Sequence, residues 1–379
     1  MDVEFFQTFA YLGADHGSSW PAPSSLCKPD TVADTFNLGF DQCAAALEAG
    51  FDSLNFAEHH YSPKNLTPNP IILAAVAGQR FTDTPIGVFG TDLPINNPVR
   101  IAEEYATLDN LLGGRLRVAM LRGTPNEYLT YFDNPWESRE RCEEGTLLIR
   151  RCWTETEPFG WEGRYYRFRN ISIWPRVVQR PHPRILVSAN SPDGAEFAGR
   201  HGFDIGFSYM TAEACRRNLD LYHQAAVEAG WTPTAENVQY RHWVWLAETD
   251  AEAEEVNARH AGPGLFGLFA AASPETMMAI GRCGAGMAGV SRGQEDLSGI
   301  AFPDEPPRPA PPPMTVGPPF VGSPDTVIAA IAELHGVVGP GRLELHVGLP
   351  ITPIPHESTM SVLKLLGEEV VPVVHSEAW

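Results

Sequence analysis

At 379 residues, 43% hydrophobic and 20% charged, the chain has ordinary globular composition and can bury a large core without disulfides or metals to staple it. Its formal net charge of −20 repels nucleic acid and anionic membrane surfaces, and solubility accounts for it. Met1-Asp2-Val3-Glu4-Phe5-Phe6 lacks the basic start of a secretory signal, and no apolar run approaches the roughly 18 residues of a membrane span; the expected compartment is cytoplasmic.

In chain order, short β-branched or aromatic runs alternate with helical periods. Strands are expected at Glu4–Phe9, Ser53–Phe56, Ile86–Thr91, Leu116–Leu121, Arg184–Ser188, Asp204–Ser208, Tyr240–Leu246 and Leu343–Val347. Helices are expected at Thr35–Ala49, Pro70–Arg80, Pro98–Leu111, Ser138–Cys152, Asp193–His201, Ala212–Ala229, Ala251–Ala258 and Pro324–Leu334. Asn97-Pro98 and Ser323-Pro324 are helix starts, a capping residue followed by proline at the first helical position, and Gly50 and Gly113-Gly114 stop the preceding helices. Strands and helices in strict alternation predict an α/β fold, a closed (β/α)8 TIM barrel with loop insertions, over residues 1–379 as a single domain. An open doubly wound sheet is disfavoured because Phe9–Gly17 is not its glycine-rich phosphate turn. The extra length falls at Ser18–Asp30, at the aromatic stretch Phe159–Arg180, and at 258–319. That last segment, with the proline run Pro306–Pro313, reads as an insertion, either a lid or a flexible linker.

The strongest local signal is Glu58-His59-His60-Tyr61 at the C-terminal end of the second strand, the end where parallel barrels assemble active sites. A carboxylate and two imidazoles there offer a general base or a hydrogen-bond donor. No metal is expected: neighbours on a strand point to opposite faces, and no second ligand cluster lies at another strand end. The six cysteines form no C-x-x-C pair and match no zinc spacing. Arg122-Gly123-Thr124 follows the fourth strand and suits a phosphate or carboxylate. Asn190 and Ser191 sit at a helix N-terminus, where free N–H groups and the helix dipole favour an anion. At one rim, these pieces point to a phosphorylated cofactor. Gly262-Pro263-Gly264-Leu265-Phe266-Gly267 fits a dinucleotide-binding spacing but follows a helical stretch and contains proline, so it is set aside. Trp20, Trp136, Trp161, Tyr165, Tyr166 and Trp174 either line an apolar pocket or pack core and loops.

In order, these segments resemble the bacterial-luciferase-like flavin monooxygenases: Glu58-His59-His60-Tyr61, Leu66-Thr67-Pro68-Asn69-Pro70, Leu93 through Glu104, Gly113-Gly114-Arg115, Arg122-Gly123, Ser191-Pro192-Asp193 and Val321-Gly322-Ser323-Pro324. The resemblance covers roughly residues 1–250 and 320–348. It implies His59 as the catalytic histidine beside the flavin, flanked by Glu58 and His60. It implies Arg122, Gly123, Asn190 and Ser191 at the flavin phosphate. Phe89-Gly90-Thr91 would pack under the flavin ring, often around a non-proline cis peptide, with Tyr209 as an aromatic near the cofactor. Leu121 stands where luciferase has its reactive cysteine. The implied activity is a two-component monooxygenase. Reduced FMN and O2 would form a flavin C4a-(hydro)peroxide that oxidises a small organic substrate by hydroxylation, Baeyer–Villiger insertion or heteroatom oxidation. The implied partners are a separate NAD(P)H-flavin reductase and a second copy of the chain, with Pro98–Leu111 at the dimer interface. Two alternatives stay open: hydride transfer with the deazaflavin F420, and flavin binding without turnover.

Overall fold

A computed structural model describes residues 1–13, 22–63, 65–124, 127, 131, 137–260, 316–349 and 354–376. Four strands open the chain, β1 (Val3–Gln7), β2 (Ser53–Phe56), β3 (Ile86–Asp92) and β4 (Leu116–Leu121), separated by α1 (Pro29–Glu48), α2 (Pro70–Arg80) and α3 (Pro98–Leu111). Helix α4 (Ser138–Thr154) leads to an antiparallel hairpin, β5 (Phe159–Glu162) with β6 (Arg167–Ile171). Next come β7 (Arg184–Ser188), α5 (Pro192–His201), β8 (Asp204–Ser208), α6 (Ala212–Glu228), β9 (Val238–Leu246) and α7 (Asp250–His260). The chain continues with β10 (Phe320–Gly322), α8 (Pro324–Val338), β11 (Arg342–Val347), α9 (His356–Leu365) and α10 (Val371–His375).

All eight expected strands are present, and they close a parallel barrel in the order β1-β2-β3-β4-β7-β8-β9-β11, with β11 pairing back to β1. Short β10 adds to the end of β9. Helix starts follow the capping chemistry: Asn69 and Asn97 accept backbone N–H groups ahead of Pro70 and Pro98. Two features differ from the sequence expectation. The helices at Ala251–Ala258 and Pro324–Leu334 both follow β9, and the helix after the last strand is the α9–α10 segment, which the sequence reading omits. The aromatic stretch is a hairpin on the outer side of α4. Glu144 accepts from Trp161 Nε1 (3.0 Å) and from the backbone of Tyr165 and Tyr166 (3.0 Å each), while Trp174 is 82% exposed. Trp161, Tyr165 and Tyr166 thus pack against the core, and Trp174 stands in solvent. The lid-or-linker reading of 258–319, the Pro306–Pro313 run, Gly262–Gly267, Trp20 and Trp136 lie outside the described residues, apart from that segment's ends.

Strand residues alternate between the helices and the lumen. Gln7 reaches α1, donating to the Gly39 carbonyl at 3.1 Å, whereas Glu4 points inward. Glu4 is fully buried and accepts from Arg117 (2.6 Å), Arg342 (3.0 Å), Asn55 (2.9 Å) and Gln239. Above it Glu344 accepts from Asn55 (2.7 Å) and Arg241. The lumen thus holds paired charges, as burial demands, although Asn55 Oδ1 and Arg342 Nε find no hydrogen-bond partner there. Glu344→Leu would strand Arg241 as a buried charge, an expected loss of about 3–5 kcal/mol in urea unfolding. Among the described residues no helix is long and apolar enough to cross a membrane.

Candidate active site

The chain leaves β2 straight into Ala57-Glu58-His59-His60, placing both imidazoles at the C-terminal mouth of the barrel. Glu58 is buried and fully engaged. It accepts from the Asp92 backbone (3.0 Å), from Asn96 Nδ2 (3.1 and 3.2 Å), and lies 2.9 Å from His60 Nε2. His60 Nδ1 is 3.1 Å from the Tyr131 hydroxyl, so both of its ring nitrogens face protein groups. His59 is different. Its Nδ1 lies 3.2 Å from Glu127 Oε1, and its Nε2 has no partner among the described residues. Glu58 and His60 position the strand end; His59 presents an open nitrogen at its rim.

Glu127 and Asp92, both missed in the sequence, complete this cluster. Glu127 also accepts from the His60 backbone (3.2 Å) and from Thr124 N (2.9 Å) and Oγ1 (2.6 Å). Burial pushes its carboxyl up, but the hydrogen bond and charge of His59, with hydrogen bonds from Asp92 and Thr124, hold it at about 2. Asp92 moves the other way: burial, then the charges of Glu127 and Glu58, push it well above the usual carboxylate range. The proton of the pair sits on Asp92 and the charge on Glu127. A raised folded-state pKa contributes stability below the ordinary carboxylate range and loses it as pH rises through the folded value. Asp92→Asn is therefore expected to raise the melting temperature under alkaline conditions and leave it unchanged near about pH 4. Melting curves across pH check the sign. The signal available in sequence was the same one that marks His59, a titratable residue at a strand's C-terminal end.

Across the rim, Arg122 follows β4, and Arg139 in the first turn of α4 feels its charge. Arg139 lies 3.2 Å from Ser191 Oγ and 3.3 Å from Asp193 Oδ2 at the start of α5. Burial, then the facing Arg122 guanidinium, push the Arg139 pKa down, with Asp193 and Glu143 opposing. A guanidinium bonded at a helix N-terminus, with a second whose charge reaches it, is an arrangement suited to an anion. Arg139 was missed, although a cation in a helix's first turn opposes the helix dipole and is itself a signal. Ser191 caps α5, accepting from Gly194 N at 3.4 Å. The Asn190 side chain is occupied elsewhere: it bridges β7 to β8 through Ser208 O (3.1 Å) and Ser208 N (2.9 Å).

Phe89 faces the lumen with Ala119, Leu186 and Leu121, and its carbonyl accepts from Arg241 Nη2 at 3.3 Å. Gly90 has φ +150 beside a register shift in the β3–β4 ladder, and a Cβ there would meet that of Ala57 at 2.9 Å. This irregular backbone is glycine's province, but among the described residues the cis peptides are Trp174-Pro175 and Arg180-Pro181. The non-proline cis bond expected around Gly90 is absent, because φ +150 and the bulge make the bend there. Thr91 turns outward, its hydroxyl paired with Tyr105 of α3, and does not join the mouth. Gly123 rests against the Asp92 carboxyl. Tyr209, at φ +58, stacks on Trp243 with ring centroids 3.6 Å apart, its hydroxyl 3.0 Å from His346 Nδ1. Among the described residues no His, Cys, Asp or Glu group is arranged to hold a metal ion.

The luciferase-like monooxygenase profile matches residues 18–341. The chain is 29% identical over 185 residues to an alkanal monooxygenase alpha chain of Photorhabdus luminescens, covering 48% of this chain and 51% of the relative. It is 25% identical over 229 residues to the oxygenase component of a flavin-dependent trigonelline monooxygenase of Acinetobacter baylyi (strain ATCC 33305 / BD413 / ADP1), covering 59% and 63%. The chain thus spans about half to two thirds of these relatives' lengths. Among solved structures, monooxygenase RslO1 from Streptomyces bottropensis superposes with a TM-score of 0.73 at 26% identity, covering 99% of this chain and 100% of that one. With the barrel, the histidine-bearing end of β2 and a matched span of this length in agreement, the chain belongs to the luciferase-like monooxygenase family.

Proposed function

We propose that this chain is the oxygenase of a two-component flavin system, using reduced FMN and O2 to oxidise a small organic substrate. The observation that carries the reading is the pairing, at one barrel mouth, of an anion site with a histidine whose Nε2 is open. The fit to FMN is chemical. Its phosphate monoester carries about two negative charges near neutrality, as phosphorylated side chains do, and Arg122 and Arg139 supply two positive ones beside the α5 N-terminus. The deazaflavin F420, the competing cofactor, carries its phosphate as a singly charged diester and matches this pair less well. When bound in reduced form, FMN supplies the activation of O2.

The chain's residues do the rest. Arg122, Arg139 and Ser191 hold the phosphate, and Gly90 lets the backbone approach the ring. Glu127, ionised, accepts from His59 Nδ1–H and so fixes the ring with Nε2 toward the mouth, where it accepts or delivers a proton. Glu58 and His60 hold that strand end in place. The open His59 nitrogen favours turnover over flavin storage. A separate NAD(P)H-flavin reductase delivers the reduced flavin. The chain pairs with a second copy through α2 and α3, where Ile72, Val76 and Leu111 stand exposed at 62%, 38% and 56%. Anaerobic titration with reduced FMN and reduced F420 tests the reading. Selective binding of reduced FMN supports it, and selective binding of reduced F420 overturns it.

A further inference from the structure

The barrel has a pocket at its other end as well. The N-terminal ends of the strands carry Arg117 in β4, Arg184 at the start of β7 and Arg342 at the start of β11. All three line a cavity of about 480 Å³ on the barrel floor, with Asp2, Ala235 and Glu236 beside them. In parallel barrels the mouth carries the chemistry and this face ordinarily serves stability. The volume, however, is that of a small-molecule site.

The guanidiniums here have more donors than the protein has acceptors for them. Glu4 accepts from Arg117 (2.6 Å) and Arg342 (3.0 Å) through Oε1, and from Asn55 and Gln239 through Oε2, which occupies both oxygens. Asp204 is taken by Arg184 (2.8 and 3.0 Å) and by Asn237 Nδ2 (2.8 Å). Its carboxylate stands 3.7 Å from Arg342 Nη2, an ion-pair separation too long for a hydrogen bond. Arg184 is satisfied, since it also donates to the Glu236 side chain (3.0 Å) and carbonyl (2.8 Å). Arg117 and Arg342 are not. Among the described residues each donates one hydrogen bond, the one to Glu4. Arg342 is nine-tenths buried and its Nε has no partner, while Arg117, with 25% of its side chain exposed, borders the pocket.

The charges point the same way. Three guanidiniums face two buried carboxylates, Glu4 and Asp204. The pocket's own acids, Asp2 and Glu236, are exposed, Glu236 to 80%, and solvent screens them. A chain of net charge −20 thus has a locally positive floor.

We propose that this floor pocket binds a small oxyanion, the phosphate or carboxylate group of a compact metabolite, held by Arg117 and Arg342. An oxyanion offers the acceptors that their remaining N–H groups lack and offsets the third guanidinium. Bound there, it links the starts of β4 and β11 across the floor and stabilises the folded chain. The site lies at the opposite end of the barrel from His59 and Arg122 and does not depend on the flavin reading.

The test is isothermal titration of full-length protein with inorganic phosphate and with citrate, each against chloride at matched ionic strength. The protein carries Arg122→Ala and Arg139→Ala, so that no anion bound at the mouth contributes. One-to-one binding is expected, of phosphate if the ligand is a phosphate and of citrate if it is a carboxylate. Adding Arg117→Gln lowers that affinity about tenfold. Ala235→Asp places a carboxylate on the pocket wall from an exposed position and lowers it by a similar factor, which keeps the test open if the arginine variant fails to fold. Absence of binding by both probes overturns the proposal, and so does binding that either substitution leaves unchanged in folded protein. Reduced-FMN binding by the wild-type chain reads the mouth alone, so failure at one end leaves the reading of the other standing.

Discussion

Replacing Arg122 or Arg139 by alanine is expected to weaken binding of reduced FMN by about 10- to 100-fold each, while leaving riboflavin affinity unchanged. Hydrogen bonds to a charged group contribute about 1.5–3 kcal/mol. At this rim Arg139 is anchored to Ser191 and Asp193 at the α5 N-terminus and feels the Arg122 charge. Riboflavin has no phosphate, so the ratio of the two affinities isolates this contribution from ring packing. Parallel losses for both ligands would mean that the arginines shape the mouth rather than hold a phosphate. Isothermal titration under anaerobic conditions reads the ratio.

The second large effect is expected at His59 and Glu127. His59→Ala removes the open nitrogen, and the oxygen-dependent steps it serves should slow or lose coupling by about 10²–10⁴-fold, the usual range for a positioned acid–base group. Glu127→Gln should go a substantial part of the way although it touches neither cofactor nor substrate. An amide facing His59 Nδ1 no longer selects the tautomer or supports a positive ring, and the proton now held on Asp92 is redistributed. Reduced-FMN affinity should survive both substitutions. The Glu127 charge carries a pH signature too. Its folded-state pKa is depressed, so the stability it contributes is present above the ordinary carboxylate range and is lost as pH falls toward about 2. In Glu127→Gln that acid limb of the stability profile should flatten.

The barrel was legible because its parallel strands are buried on both sides and four helix starts carry a side-chain cap, Asn69, Asn97, Ser191 and Thr211. Ser53–Phe56, Arg184–Ser188 and Asp204–Ser208 begin and end where their β-branched and turn residues say. The α9–α10 segment escaped because Pro355 and Pro372 break its helical pattern and a π-helical turn, Leu366–Val370, interrupts its period. At the site, motif position placed His59, Arg122 and Ser191 on one rim, and the structure brings them there. Thr91 and Asn190 have side chains that serve the scaffold instead, one against Tyr105 and the other bridging to Ser208. Those roles depend on which face of the strand end a side chain takes, and a β-bulge between Phe89 and Thr91 resets that face. Asp92, Glu127 and Arg139 act through partners distant in sequence, and a strand-end or helix-start signal does not name those partners.

The most direct test is to mix the anaerobic complex with reduced FMN against oxygenated buffer in a stopped-flow spectrometer. The prediction is a transient absorbance distinct from those of reduced and oxidised flavin, with a shorter life in His59→Ala. Direct oxidation at the rate of free flavin, with no transient and no difference between wild type and His59→Ala, would contradict an oxygenase centred on His59.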